Sequence, residues 1–504
     1  MRPPYVRLAS AIVLAIVLGV NSGCSAIAGW LAPGDRLTFP EGPLRTSDAG
    51  RWYDVDRDGT ADFGLLPGKD GVPDVLAYND TANGRTDRVY RLSDYTSASV
   101  PHLILMMDSL PYRIVSKRWA AGEWRWFSKP QKVIAPFPSL SEVTFGAMLH
   151  APPLGGNIER YFDRRTNEIE NLWVARAFGY QHPWQRRVES KLDTYLEVGM
   201  SYINPRPWFY AELARVKHAV DVSDKSVVTA YIVSSSAMVS RYGAEGLDEC
   251  LNTIEQLCMQ LIYERQGAIK ITIVSDHGHN LKPSRNFLVE EKLKLAGFNP
   301  TDEIVDKVRD VIPEIDGLVT YFGVHTTRPS AVADAMLVHP EIELAMYQDQ
   351  DTIVVRSGSE SALIEHRNGA FRYRPLGGDP LHYRTVTDSL RAQSKLDADR
   401  YAMDRSWFDA TVDHEFPDAP RRLWDAFHGQ VVNCPQVMFT LKDGHCAGLP
   451  SMDNWIDMMS THGGLNQINS DAVVMTMTGP LLGPMRTRDV IQAVEPRIVP
   501  DLKR

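Results

Sequence analysis

Four largely apolar runs of strand length constrain this chain more than any other feature: Leu103–Met107, Val227–Val233, Ile269–Val274 and Ala472–Met477. A strand that is apolar on both faces must be covered on both faces. That is the condition of a strand inside a parallel sheet flanked by helices. Helical patterns separate the runs. In one of them Leu247, Leu251, Ile254, Cys258 and Leu261 share a face, and Gly267 stands where a C-cap belongs. The predicted class is α/β, a mainly parallel sheet with helices on its faces. From about residue 300 to 450 the texture becomes that of an inserted α+β cap, with a helix over Ser330–Leu337 and strands at Ile353–Arg356 and Phe371–Arg374. Residues 96–504 are read as one catalytic domain carrying that insertion. A chain of 504 residues, 44% hydrophobic and 23% charged, buries a large core and is not disordered as a whole.

The first 24 residues read as an address. Arg2 and Arg7 flank the start of Leu8–Val20, an apolar run of 13 residues, short for a membrane span and suited to an export signal. Asn21-Ser22-Gly23-Cys24 then resembles a bacterial lipoprotein signal, although Asn21 stands where such signals usually carry Leu. The resemblance implies that Cys24 becomes the lipidated first residue of an exported, membrane-anchored chain in the periplasm or cell envelope; plain secretion is the alternative. No second long apolar run exists, which excludes a polytopic membrane protein. The net charge of −9 leaves no basic excess to neutralise a phosphate backbone, so a nucleic-acid polymer is not an expected partner.

Residues 25–50 read as a Gly/Pro/Ala-rich linker, and 51–95 as an Asp-rich segment. Asp54, Asp56, Asp58, Thr60 and Asp62 offer oxygens on alternate residues, with Gly59 at the sharp turn, as a Ca²⁺ loop requires. Leu65 replaces the Glu of an EF-hand. The Asp/Asn-Gly-x-x-Asp core recurs at Asp70–Asp74 and Asn83–Asp87. The segment resembles calcium-binding repeats of the dockerin or thrombospondin type 3 kind, which implies structural calcium; the plainer reading is a run of Asp-Gly turns. Export permits disulfides. Cys434 and Cys446 bracket a short turn and are candidates to pair, whereas Cys250 and Cys258 lie about 12 Å apart on the predicted helix and cannot bridge.

Ligands of an open parallel sheet gather beyond the carboxyl ends of its strands. The first run ends in Asp108, the third in Ser275-Asp276-His277-Gly278, and Ser460-Thr461-His462-Gly463-Gly464 lies ahead of the last. Carboxylates and imidazoles so placed make a metal site. Ser139 and Glu142 have capping-box spacing, which puts Ser141 in the first turn of a helix, where free N–H groups favour an anion. His102 and His279 read as core or surface histidines.

Together, Asp108 after a strand, Pro-Ser-Leu-Ser141 opening a helix, Ser-Asp276-His277-Gly and His462-Gly-Gly resemble the alkaline phosphatase superfamily, nearest to its type I phosphodiesterase/nucleotide pyrophosphatase branch. The resemblance covers roughly residues 100–500. It implies an alkaline phosphatase-like fold and an exported metal-dependent hydrolase of small phosphate esters, with a phosphodiester favoured. Asp108, Asp276 and His277 would hold a divalent Zn or Mn ion. Ser141 would be both nucleophile and ligand, forming a phosphoseryl intermediate. His462 would be the last ligand of a second metal site or a general acid. That second site is depleted: Ser236 and Ser240 stand where the branch carries Asp and His, and a neutral hydroxyl is a poor zinc ligand. A single-metal transferase of phospho-headgroups and an inactive, envelope-tethered binding or structural protein are therefore the rival readings. The sulfatase branch is disfavoured, because Ser141-Glu-Val-Thr-Phe145 lacks the Pro and Arg of its signature.

Overall fold

The computed structural model describes residues 37–497, except 82–84, 97–98, 178, 316 and 449–456. The signal at 1–24, Cys24, much of the 25–50 linker and the start of the Asn83–Asp87 core lie outside the described residues. No helix among the described residues is long and apolar enough to cross a membrane.

The fold is α/β. Its centre is a six-stranded sheet: β1 (His102–Met107), β2 (Gln131–Ile134), β3 (Val227–Ile232), β4 (Lys270–Ser275), β5 (Asp471–Thr476) and β6 (Met485–Arg486). The spatial order is β3-β1-β4-β5-β2-β6. Every residue of β1 is buried, as its unbroken apolar run requires. Leu103, Leu105 and Met107 enter one cluster, while Ile104 and Met106 enter another on the opposite face. The helices that matter for the site are α1 (Ser141–Met148), α2 (Pro205–Val222), α3 (Ser234–Glu264) and α4 (Ala419–Phe427). Helix α3, broken at Gly243, buries Leu247, Leu251, Ile254, Cys258 and Leu261 against the first face, and Gly267 closes it by donating to Ile262 O at 2.9 Å.

The sheet is mainly parallel, as expected, with one strand reversed. β5 runs antiparallel to both β4 and β2, and the other five strands share one direction. Apolarity on both faces reports burial, not direction, so the Ala472–Met477 run carried no information about its sense. The reversal has a use. The amino end of β5, rather than its carboxyl end, meets the carboxyl edge of its neighbours, and the segment carrying His462 arrives there with it.

A second, nine-stranded sheet holds the strands between Asn299 and Leu441, among them Thr352–Ser357 and Ala370–Gly377. Helix Pro329–Met336 packs in its core cluster. Between residues 45 and 91 lies a five-stranded antiparallel sheet, with its Asp-Gly segments at the hairpin turns. The repeat reading missed this because period-two residues lie between the acids. Phe63, Leu65, Leu76 and Tyr78 are buried on one face, against Tyr263 of α3.

Two smaller expectations are corrected. Cys434 and Cys446 do not pair with each other; they lie in different core clusters, and all four described cysteines are buried. The capping box at Ser139 is absent. Leu140 occupies the N-cap with no side-chain bond, and Ser139 Oγ instead donates to Gly464 O (3.0 Å) while accepting from Arg422 (3.1 Å).

Candidate active site and metal centre

Three strand ends deliver the site. β1 ends at Met107 and turns into Asp108, whose N–H donates to Ile232 O of β3 at 3.1 Å. β4 ends at Ser275 and leads into Asp276, His277 and Gly278. A Cβ on Gly278 would stand 2.2 Å from Ile468 O, so only glycine lets this turn press against the segment before β5.

Asp108, Ser141, Asp276 and His277 converge, although 168 residues separate the two aspartates. Ser141 Oγ donates to Asp108 Oδ2 at 3.1 Å and lies 3.3 Å from His277 Nε2. His277 Nε2 is 3.2 Å from Asp276 Oδ2 and 3.8 Å from Asp108 Oδ1. One ligand atom from each of Asp108, Asp276 and His277 lies within 4.8 Å of the other two. The tautomer follows from the bonds: His277 Nδ1 sits 3.0 Å from Gly278 O, a carbonyl that can only accept, so Nδ1 carries the proton and Nε2 offers a lone pair.

The electrostatics fit a cation. Asp276 is fully buried, and burial first, then the charge of Asp108, raises its carboxyl well above the ordinary range. Its Oδ1 accepts from Ser109 N (3.0 Å) and His277 N (2.8 Å), but its Oδ2 has no hydrogen-bond partner. Burial likewise holds His277 below its usual value, hence neutral. An orphaned carboxylate oxygen, a second carboxylate and a neutral imidazole form a donor set suited to Zn²⁺ or Mn²⁺. Ser141 is the first residue of α1. The first backbone bond of the helix runs from Thr144 N to Leu140 O, so the N–H groups ahead of it are open to an anion.

His462 stands beside this group rather than in it. Its ring stacks on His277, with centroids 3.8 Å apart and planes at 15°, and its Nδ1 donates to Ser139 O at 3.0 Å. Burial, then His277, pushes its pKa down to about 3. A neutral imidazole has no proton to spare beyond the one bound to Ser139 O, so the general-acid role does not fit; the free Nε2 is an acceptor. His102 is a satisfied core histidine, bonded to Glu495 and Thr272 Oγ1 at 2.8 Å each. His279 is not merely that: it is buried 5.2 Å from the His462 ring, its Nδ1 bonds to Ser460 Oγ, and its Nε2 has no partner.

Further hydroxyls bond to Asp108. Tyr231 OH donates to Asp108 Oδ2 at 2.7 Å, Ser109 Oγ to Oδ1 at 2.8 Å, and Ser235 Oγ to the Asp108 carbonyl at 2.7 Å. Ser236 Oγ accepts from Tyr202 OH at 3.2 Å, and the Ser240 carbonyl accepts from Met459 N. Both serines are buried, and neither adds a carboxylate or imidazole. Sequence reasoning missed Tyr231, although a tyrosine in a fully buried strand needs a partner for its hydroxyl. A second grouping, Glu142, Glu159 and His182, already holds Arg176, which is ion-paired with Glu159 and 3.7 Å from Glu142; it is balanced without an ion.

No family model and no curated protein matches the chain. Among solved structures it is similar to human ectonucleotide pyrophosphatase/phosphodiesterase 5, with 11% identity and a TM-score of 0.42 over 80% of this chain and 95% of that one. The murine protein, inactive and in complex with AMP, shows 9% identity and a TM-score of 0.42 over 80% and 94%. Phosphonoacetate hydrolase from Sinorhizobium meliloti 1021, in complex with phosphonoformate, shows 10% identity and a TM-score of 0.41 over 81% and 96%.

Proposed function

We propose that the chain is a metal-dependent hydrolase of phosphate esters in the alkaline phosphatase superfamily, and specifically a phosphodiesterase. The observation that carries this is the meeting of Ser141 Oγ with Asp108 and His277 beside the orphaned oxygen of Asp276. Asp108, Asp276 and His277 would hold the divalent ion, with Ser141 as a further oxygen donor; when bound, the ion lowers the hydroxyl pKa and screens phosphoryl charge. Ser141 Oγ, already donating its proton to Asp108 Oδ2, attacks phosphorus in line. The Oγ–P bond forms as the Oγ proton passes to Asp108, the ester P–O bond breaks, and the departing alkoxide takes a proton from water to leave as the alcohol. Water then cleaves the phosphoseryl bond. The open N–H groups of α1 orient the phosphoryl oxygens.

A diester suits the site better than a monoester. It carries less negative charge, and the Tyr231 and Ser109 groups that bond Asp108 are neutral hydroxyls, which add no positive charge to offset a second phosphoryl charge. The test is turnover of bis(p-nitrophenyl) phosphate beside p-nitrophenyl phosphate, with metal analysis of the purified protein. About one transition metal per chain and Ser141-dependent cleavage of the diester are expected. Equal or faster monoester turnover sinks the diester preference. The hydroxyls at Ser236 and Ser240 favour a second reading, transfer of a phospho-headgroup through a single-metal centre; a diester consumed only when an acceptor alcohol is added would select it. Neither metal nor turnover would leave the inactive binding protein.

The same proposal includes export with lipid attachment at Cys24, tested by mass spectrometry of the mature amino terminus, where an unmodified Cys24 would contradict it. It also includes a structural calcium at the first Asp loop. Carboxylates of Asp54, Asp56 and Asp58 lie within 4.8 Å of one another, and Asp62 Oδ2 accepts from Val55 N at 2.6 Å. Thr60 N donates to Asp58 Oδ1 at 2.7 Å. A melting temperature unmoved by calcium and chelator would remove the calcium.

A further inference from the structure

Behind α1, on the flank that does not carry Ser141, lies a cavity of about 390 Å³, within the size range of small-molecule sites. Its floor is the helix face Val143, Gly146, Ala147 and the following His150. A Cβ added to Gly146 would meet nothing within 4 Å. A glycine inside a helix is destabilising relative to alanine; here its effect is to leave the cavity open. Ile134 and Leu154 supply apolar wall.

Four guanidinium groups line it: Arg421, Arg422, Arg486 and Arg488. Arg421 and Arg488 share the carboxylate of Asp425, Arg421 also lies 3.7 Å from Asp404, and Arg486 is taken by Asp404 and Asp418. Arg422 is buried, and among the described residues no carboxylate pairs with it. It bonds instead to neutral oxygens: Ser139 Oγ (3.1 Å) and Pro136 O (3.4 Å) ahead of Ser141, Leu465 O (2.8 Å) and Ser470 Oγ (2.7 Å) after His462, and Pro417 O (3.0 Å). The cavity thus has one cation more than its carboxylates balance, the partly exposed guanidinium of Arg488 to meet an oxyanion, and apolar wall for an organic group. Through Arg422 it touches the backbone on either side of the reaction centre.

We propose that this cavity binds a small organic phosphate monoester, distinct from the substrate at Ser141, and that its occupancy slows turnover. The regulatory half rests on the phosphodiesterase reading, in which a monoester is the released product; the binding half does not. The probe is phenyl phosphate, titrated by calorimetry into the metal-loaded full chain carrying Ser141→Ala, and into the same chain with Gly146→Leu or Arg488→Gln added. Loss of one binding site, or at least a ten-fold weakening of it, is expected in both derivatives. Arg488 is 44% exposed, so Arg488→Gln decides the matter if the leucine variant does not fold. No binding in the parent chain, or the same stoichiometry and affinity in the derivatives, overturns the site. In the chain with Ser141 intact, Arg488→Gln should abolish the part of phenyl phosphate inhibition that lowers kcat without raising KM; a kcat effect that persists overturns the regulation. A chain with no turnover at all ends the phosphodiesterase reading, while the calorimetric comparison still decides the cavity.

Discussion

The imidazoles of His277 and His462 lie face to face at 3.8 Å, brought together from segments 185 residues apart. Each ring uses its Nδ1 proton on a backbone carbonyl, Gly278 O or Ser139 O, and each therefore keeps an Nε2 lone pair. Neither is protonated at neutral pH, because burial disfavours the charged form of both. The centre is thus rich in acceptors and lacks a mobile cation of its own.

Ser141→Ala should lower diester turnover by roughly a thousand-fold or more, since no other hydroxyl shares its contacts with Asp108 and His277. Stability should change by only about 1 kcal/mol, the worth of one hydrogen bond. Steady-state kinetics beside thermal melting checks both; a variant retaining a tenth of the activity would remove Ser141 from the nucleophile's role.

Asp276→Asn should change sign with metal. Without divalent ion the substitution removes the cost of burying this carboxyl, which burial and the charge of Asp108 hold protonated and whose Oδ2 has no partner, so the variant should melt higher than the wild type. With zinc at a hundred times its Kd, the wild type gains about 2.7 kcal/mol and the variant little of it. The same order of melting temperatures under both conditions would falsify the assignment of Asp276 as a ligand.

Tyr231→Phe keeps the ring, which packs edge-on to Phe145 (5.0 Å) and Trp184 (5.3 Å), and deletes only the hydroxyl on Asp108. Zinc affinity should fall roughly 10- to 100-fold, as when other outer partners of metal ligands are removed. Competition with a chromogenic chelator reads this independently of turnover. Unchanged affinity would show that the phenol does not hold Asp108 in place.

Glu212 of α2 gives a stability signature remote from the site. Burial pushes its pKa up to about 7, against the bonds it accepts from Ser234 N and Val233 N. The folded state holds this proton after the unfolded state has lost it, so stability falls as pH rises from about 4.5 to about 7 and is level above. The fall is about 3 kcal/mol at 1.36 kcal/mol per pH unit. Denaturant melts of wild type and Glu212→Gln across this range should show their difference shrinking by that amount; a constant difference contradicts it.

The buried strands were legible because continuous apolarity is a local property. Leu103–Met107 and Ile269–Val274 lie within a residue of β1 and β4. What a local pattern does not encode is direction or partner. The sense of β5, the closure of Asp54–Asp62 as a hairpin turn and the separation of Cys434 from Cys446 are set by what packs far away in sequence. At the site, Asp108, Asp276 and His277 were visible through their position after strands, and Ser141 through the helix it opens. Tyr231 was hidden, since in Val227–Val233 it reads as one more apolar residue. His462 was visible as a residue but not as a stacked, deprotonated ring, because its environment is supplied by Ser139 and His277 rather than by its neighbours.

β5 is the wedge of the central sheet. It lies between β4 and β2, so without it the sheet would not merely be shorter; it would part into a three-stranded piece and a two-stranded one, each with a bare, apolar edge. Since β5 begins at Asp471, more than 360 residues after β1 ends at Met107, the halves join only through a strand distant in sequence from the first. Assembly is correspondingly non-local and slow. Until the wedge is in place, both edges are open to pairing with any other strand.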